Sequence, residues 1–244
     1  VAEEAKSIMS MQAKMLGEQY VLEISPATAK KDQSPVFLLL HGFPAWSTKN
    51  YDIAETLALE GVSSVVAHHI GLGLSQGQFS FKRSVEETAA LIAQVRSANP
   101  GRPVTVVGHS WGGFLALALA ELADDIVVLA PLTRFPKGRD LWNLVDGLFE
   151  ESPEECSVYT RESLFAEFEE LGATYSFDSM VAKCRDKYLM VIHGTRDPVL
   201  PVKNSAEFVA ALGSKATYLE LNDLHLLVNH RRRLLQELRR WVAR

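Results

Sequence analysis

Ser110 stands in the stretch VVGHSWGG, residues 106–113, with Gly108 before it and Gly112 after it. A G-x-S-x-G pattern is short, so its setting has to decide what it means. The apolar run PVTVVG (103–108) precedes the serine, and WGGFLALALAEL, a strong helical pattern, follows it. A serine on a sharp turn between a buried strand and a helix has its oxygen lifted clear of the sheet, where it can attack a carbonyl. Glycines are expected on either side because side chains there would collide with the neighbouring strand and helix. The helix N-terminus adds unpaired N–H groups and a partial positive charge, which favour developing negative charge. A plain strand-to-helix turn is the alternative, and it would ask nothing of the rest of the chain.

A serine hydroxyl is a poor nucleophile near neutral pH and needs a base, which in turn needs an orienting acid. For a serine on this kind of turn the partners follow in the order acid, then histidine. His41, His68, His69, His109 and His193 all precede the best acid candidate, so their expected role is hydrogen bonding and packing around the loops. His225, in LNDLHLL between the last strand and the last helix, is the preferred base. His230, in NHRRR, is expected inside the final helix. The acid is Asp197, in HGTRDPVLP just past a buried strand, although an aspartate there could also serve as a helix cap or turn residue. Asp223 is too near His225 in sequence to replace it easily, and Asp140, Asp146 and Asp178 lack a strand before them. Acyl transfer also needs donors for an oxyanion. The backbone N–H groups of Trp111, the residue after the serine, and of Phe43, in LLLHGFPAW, are the candidates; Pro44 has no N–H to give.

These residues need elements to hold them. VFLLL (36–40) is apolar without alternation, as a strand covered on both faces must be. Similar runs recur at 62–67, 103–108, 125–130 and 188–194, with a last strand at 216–221 and helical patterns at 50–60, 84–98, 111–123, 203–212 and 227–243. The alternation predicts an α/β fold: a mostly parallel central sheet with helices on both faces. QYVLEIS reads as an early strand, KKDQSP (30–35) as a turn, and residues 1–16 as weakly helical. The whole chain, 1–244, is expected to form one domain. Residues 131–187 are too long for a simple crossover and predict a small helical cap insertion over the C-terminal edge of the sheet. Its aromatic side chains, Trp142 and Phe149 among them, are candidates to contact a substrate, or else pack the insertion's own small core.

Composition bounds the rest. The chain is 47% hydrophobic and 23% charged with net charge −5, an ordinary balance that argues against nucleic acid as a partner. Cys156 and Cys184 form no C-x-x-C pair and fit two free thiols in a reducing compartment, a single disulfide between them being the alternative. No apolar run reaches membrane-spanning length and no signal-peptide pattern opens the sequence, so a cytoplasmic location is expected. The chain begins with Val1, which leaves its native start open. Arg231, Arg232, Arg233, Arg239 and Arg240 are expected to form the solvated face of the last helix, a basic docking patch being the alternative.

From about Gln19 onward the chain resembles the α/β-hydrolase superfamily, through HGF, GHSWGG, and HGTRDPV followed by His225. It is most similar to cinnamoyl (feruloyl) esterases and monoacylglycerol-lipase-like carboxylesterases. Gly71, Gly73, Ser75, Gly77 and Phe79, the LAP at 129–131 and the size of the insertion also look like that group. The resemblance implies a Ser110–His225–Asp197 triad, an oxyanion hole at Phe43 and Trp111, a small-molecule ester as substrate, and no cofactor or metal. His69, Trp111 and the Asn222–Leu224 segment depart from that pattern without removing a catalytic group. The leading expectation is therefore a serine esterase. An aminopeptidase or amidase using the acidic run Glu150, Glu151, Glu154 and Glu155, or a non-catalytic ligand-binding relative, are the alternatives.

Overall fold

VFLLL is strand β3 (Val36–Leu40), and all five of its residues are buried. Successive side chains of a strand point to opposite faces, so this run needs a cover on each. Phe37 and Leu39 enter one hydrophobic cluster, while Val36, Leu38 and Leu40 enter a second. The computed structural model describes residues 8–27, 34–44 and 48–243.

Seven further strands complete the sheet: β1 (Met9–Leu16), β2 (Gln19–Pro26), β4 (Ser63–Ala67), β5 (Val104–His109), β6 (Asp125–Leu129), β7 (Tyr188–Gly194) and β8 (Ala216–Leu221). Their spatial order is β1-β2-β4-β3-β5-β6-β7-β8. β2 runs antiparallel to both of its neighbours, and every other pair from β4 to β8 is parallel. Helices α1 (Thr48–Leu59) and α8 (Arg231–Val242) cover the face that holds Phe37 and Leu39. Helices α2 (Phe81–Ala98), α3 (Trp111–Ala118), α6 (Phe177–Cys184) and α7 (Val202–Leu212) cover the other. The mostly parallel, doubly covered sheet expected from the apolar runs is present. Register then gathers the loops: Leu40 lies opposite Gly108, and Gly194 opposite Leu221. The loops after β3, β5, β7 and β8 therefore leave the sheet at its carboxyl edge.

Two expectations change. Residues 9–16 form a strand instead of a weak helix, paired along its whole length with β2 from Met9–Pro26 to Leu16–Gln19. A turn at Gly17, whose φ is +63°, joins the two. Pairing with a neighbour decides here, as it commonly does for strands. Residues 1–7 and most of the expected turn at 30–35 lie outside the described residues. His230 sits at the N-cap of α8 and not inside it; its N–H donates to Asp223 Oδ2 at 2.7 Å.

Between β6 and β7 run α4 (Arg139–Glu151), α5 (Arg161–Thr174) and α6. α6 packs on α3 and α7 as part of the sheet's cover, whereas α4 and α5 pack on each other and α5 also touches α2. The first N–H groups of a helix lack partners within it, and α5 with its leading turn supplies them to α2. Phe81 N–H donates to Tyr159 Oη at 3.0 Å, and Lys82 N–H to Glu167 Oε1 at 2.8 Å. Tyr159 Oη in turn donates to Glu167 Oε1 at 2.8 Å.

Candidate active site

Ser110 takes φ +53° and ψ −112°, a backbone conformation that costs a side-chain-bearing residue about 1–3 kcal/mol. The neighbours hold it there: its N–H donates to Leu129 O at 2.9 Å, and its carbonyl accepts from Phe114 N–H at 3.0 Å, starting α3. The flanking glycines are required by space. A Cβ on Gly108 would fall on the carbonyl of Gly112, and one on Gly112 would lie 2.6 Å from the carbonyl oxygens of Leu40 and His41. β5 and α3 can pass this closely only without those side chains.

Asp197 and His225 come from different loops and meet: His225 Nδ1 lies 2.7 Å from Asp197 Oδ2. With Nδ1 donating to the carboxylate, Nε2 is the nitrogen left to accept a proton. The other carboxylate oxygen, Oδ1, accepts from Val199 N–H at 2.8 Å and Leu200 N–H at 2.9 Å. Burial pushes this carboxyl up, but hydrogen bonds from His193 and His225 outweigh it and hold Asp197 well below its ordinary value. His109 Nε2 donates to the carbonyl of His225 at 3.0 Å, tying the histidine's loop to the turn that carries Ser110. Asp223, fully buried, shapes the same loop by accepting from Leu224 N–H, Asn229 Nδ2 and His230 N–H.

Phe43 and Trp111 flank the serine. Gly42 is pressed against it, since a Cβ there would lie 2.9 Å from Ser110 Cβ. His41 Nδ1 donates to Gly42 O at 2.6 Å. A trans peptide points its C=O and N–H in opposite directions, so tying back the Gly42 carbonyl turns the Phe43 N–H away from His41. His41 Nε2 accepts from His69 N–H at 3.1 Å, and His69 Nε2 donates to His41 O at 2.9 Å. These rings are neutral: burial lowers His41 far below its usual value and brings His68 and His69 to about 4. Trp111 N–H opens α3 and has no partner within the helix. Its indole Nε1 donates to Ser84 Oγ at 3.0 Å, and its ring packs edge-on to Phe81 at 4.8 Å.

Ser110 and His225 line one cavity of about 480 Å³. Its walls are mostly apolar: Phe43, Phe81 and Trp111 from the sheet layer, Leu144, Leu148 and Phe168 from α4 and α5, and Leu200 beside Asp197. Trp142 and Phe149, candidates to contact a substrate or else to pack the insertion's own small core, are not among its lining residues. Trp142 stacks on Phe165 at 4.3 Å, and Phe149 lies beneath the Arg161 guanidinium at 4.8 Å. Helical geometry explains this placement. Leu141, Leu144, Val145 and Leu148 form the inward stripe of α4, and residues 142 and 149 are each one position, or about 100°, further round. Among the described residues no group of three His, Cys, Asp or Glu side chains is placed to hold a metal ion, and no helix is long and apolar enough to cross a membrane. Both cysteines are buried free thiols.

His41, His69 and His193 hydrogen-bond and pack around the loops as expected, but sequence reasoning named none of their partners and weighed Asp223 only as an alternative acid. For His41 and His193 the signal was position, since each ends a strand before a glycine.

A family profile described as alpha/beta hydrolase fold matches residues 35–156, which include Phe43, Ser110 and Trp111. Monoacylglycerol lipase from Mycolicibacterium smegmatis is 22% identical over 228 residues, covering 80% of this chain and 81% of that protein. A monoglyceride lipase homolog from Monkeypox virus is 27% identical over 100 residues, covering 38% of this chain and only 36% of its own length. Among solved structures, Est1E from Butyrivibrio proteoclasticus matches with a TM-score of 0.71 at 15% identity, over 97% of this chain and 98% of that one. At that identity the likeness speaks to the fold.

Proposed function

The chain belongs to the alpha/beta hydrolase fold family, and on that premise we propose that it is a serine hydrolase that cleaves carboxylic esters of small acyl or aryl groups. The reading rests on one observation above the others: a strained Ser110 and an Asp197-bound His225 open onto the same apolar cavity. Ser110 Oγ attacks the ester carbonyl while His225 Nε2 takes its proton. The oxyanion is met by the N–H groups of Phe43 and Trp111. His225 then returns the proton to the departing alcohol, leaving an acyl group on Ser110, and a water repeats the sequence to release the acid. Asp197 keeps the imidazole in the tautomer this requires and remains ionised throughout. Each oxyanion donor contributes about 3 kcal/mol to lowering the barrier.

A second reading, hydrolysis of aminoacyl amides, is favoured by Glu151, an acidic residue among those lining the same cavity, which could hold a substrate amine. Assays on aryl esters of graded acyl length and on aminoacyl anilides separate the two. The ester reading predicts larger kcat/KM on the esters and loss of turnover in Ser110→Ala. Faster turnover of the anilides would replace it with the second reading.

A further inference from the structure

Asp197 is held by a second histidine. The His193 ring is wholly buried at the end of β7, and its Nε2 lies 2.9 Å from Asp197 Oδ2 and 3.1 Å from Leu200 O. Both neighbours are acceptors, so Nε2 carries the hydrogen. On the other side of the ring, Nδ1 lies 2.7 Å from Ser205 Oγ on α7, whose hydroxyl donates to it in the neutral ring. Ser205 is itself fully buried. The serine thus selects the tautomer in which His193 donates to the carboxylate.

The count at Asp197 gives this contact its meaning. Two ionised oxygens offer about four lone-pair positions. Oδ1 takes the N–H groups of Val199 and Leu200, and Oδ2 takes His193 and His225. No position is left over, so the plane of the carboxylate is determined from both sides. Hydrogen bonds to the ionised form also lower its basicity. A less basic carboxylate supports the imidazolium of His225 less strongly. The titratable groups facing Asp197 are His193 from β7 and His225 from the loop after β8. His225 is faced in addition by His109, with ring centres 5.0 Å apart. α7 contributes only the Ser205 hydroxyl to this cluster.

We propose that His193, locked by Ser205, is a positioning residue that fixes the Asp197 carboxylate and sets how readily His225 becomes a base. This rests on the serine-hydrolase reading above. It asks for no contact between His193 and substrate.

The test is the pH profile of kcat and KM on a p-nitrophenyl ester for the wild type, His193→Leu, His193→Gln and Ser205→Ala. In His193→Leu, kcat should fall about ten- to hundredfold, as is usual when a group orienting a reacting partner is lost. KM should change by less than about twofold, and the acid limb should move to higher pH by roughly half a unit or more. His193→Gln, whose amide can donate from the same place, should recover the limb. Ser205→Ala should move it in the same direction as His193→Leu, by less. If His193→Leu does not fold, the contrast between His193→Gln and Ser205→Ala decides. A folded His193→Leu or Ser205→Ala whose profile overlays the wild type overturns the proposal, and so does a His193→Gln as impaired as His193→Leu. A wild type inert on the ester at every pH would overturn the serine-hydrolase reading, and this proposal with it.

Discussion

Gly42 is pressed directly against the side chain of Ser110. A methyl group there would press on Ser110 Cβ and on the His109 ring, at 2.9 and 3.2 Å, and displace the loop that carries the Phe43 N–H. Gly42→Ala should lower kcat by about a hundredfold with little change in KM, the loss expected when one oxyanion donor moves out of place. Steady-state kinetics on an ester check this, and an unchanged kcat would remove Phe43 from the oxyanion hole. Asp197→Asn should cost about ten-thousandfold in kcat by leaving His225 in the wrong tautomer. Asp197 and His225 were legible as partners because their loops follow neighbouring strands and their order in the chain is constrained. His193 was not, because the same carboxylate can be approached from inside the sheet as well as from the cavity. Nothing in HGTRDPVLP distinguishes a histidine that packs from one that donates to the acid four residues on.

At the scale of elements, the buried strands were readable from their unbroken apolar runs, and the helices from their spacing. Which stripe of α4 faces inward was harder. α4 carries large apolar side chains on more than one side, and a tryptophan attracts attention that its position does not justify. Leu148→Trp should therefore cut kcat/KM on longer acyl esters about tenfold or more by filling the cavity, while Trp142→Ala leaves kcat/KM within about twofold. The opposite ranking would restore Trp142 as a substrate contact. The strand β1 was misread for a related reason: Met9, Met11 and Met15 suit either period, and only the partner strand chooses between them. Glu167 illustrates what no periodicity reveals, a carboxylate on α5 closing the N-terminus of α2. Glu167→Ala should destabilise the protein by about 1 kcal/mol, the usual worth of a helix cap. It should also speed proteolysis in the segment between α4 and α5. Thermal melts and limited digestion measure these two effects.

Across the whole molecule, three histidines buried as neutral rings link stability to pH. In the unfolded chain they bind protons near their ordinary value of 6.5; folded, His68 and His69 do so only near pH 4, and His41 also well below 6.5. The unfolded state therefore holds more protons between about pH 6.5 and 4, and stability must fall as pH falls through that window. His69 alone accounts for about 3 kcal/mol, fully present above its unfolded value and lost as pH drops towards 4. Asp197, held below its ordinary value of 3.8, adds a loss at still lower pH with the same sign. Urea unfolding should show a lower midpoint at pH 5 than at pH 7.5 with the slope unchanged. Equal midpoints would mean that these rings are hydrated or already paired in the unfolded chain. α8 is also fastened by Arg231 on Asp52 and Arg239 on Glu60, so two of the arginines expected on its solvated face tie it to α1 and its connection to β4.

The central claim is that Ser110 is a nucleophile activated by His225. A fluorophosphonate probe tests it without knowledge of the natural substrate, because it bonds only to a serine whose proton has somewhere to go. The folded wild type should be labelled stoichiometrically, with the adduct located on Ser110 by peptide mass spectrometry. Ser110→Ala should not be labelled, and His225→Ala should react at least about a thousandfold more slowly. A folded wild type that takes no label, or one labelled equally well without Ser110, would contradict the account.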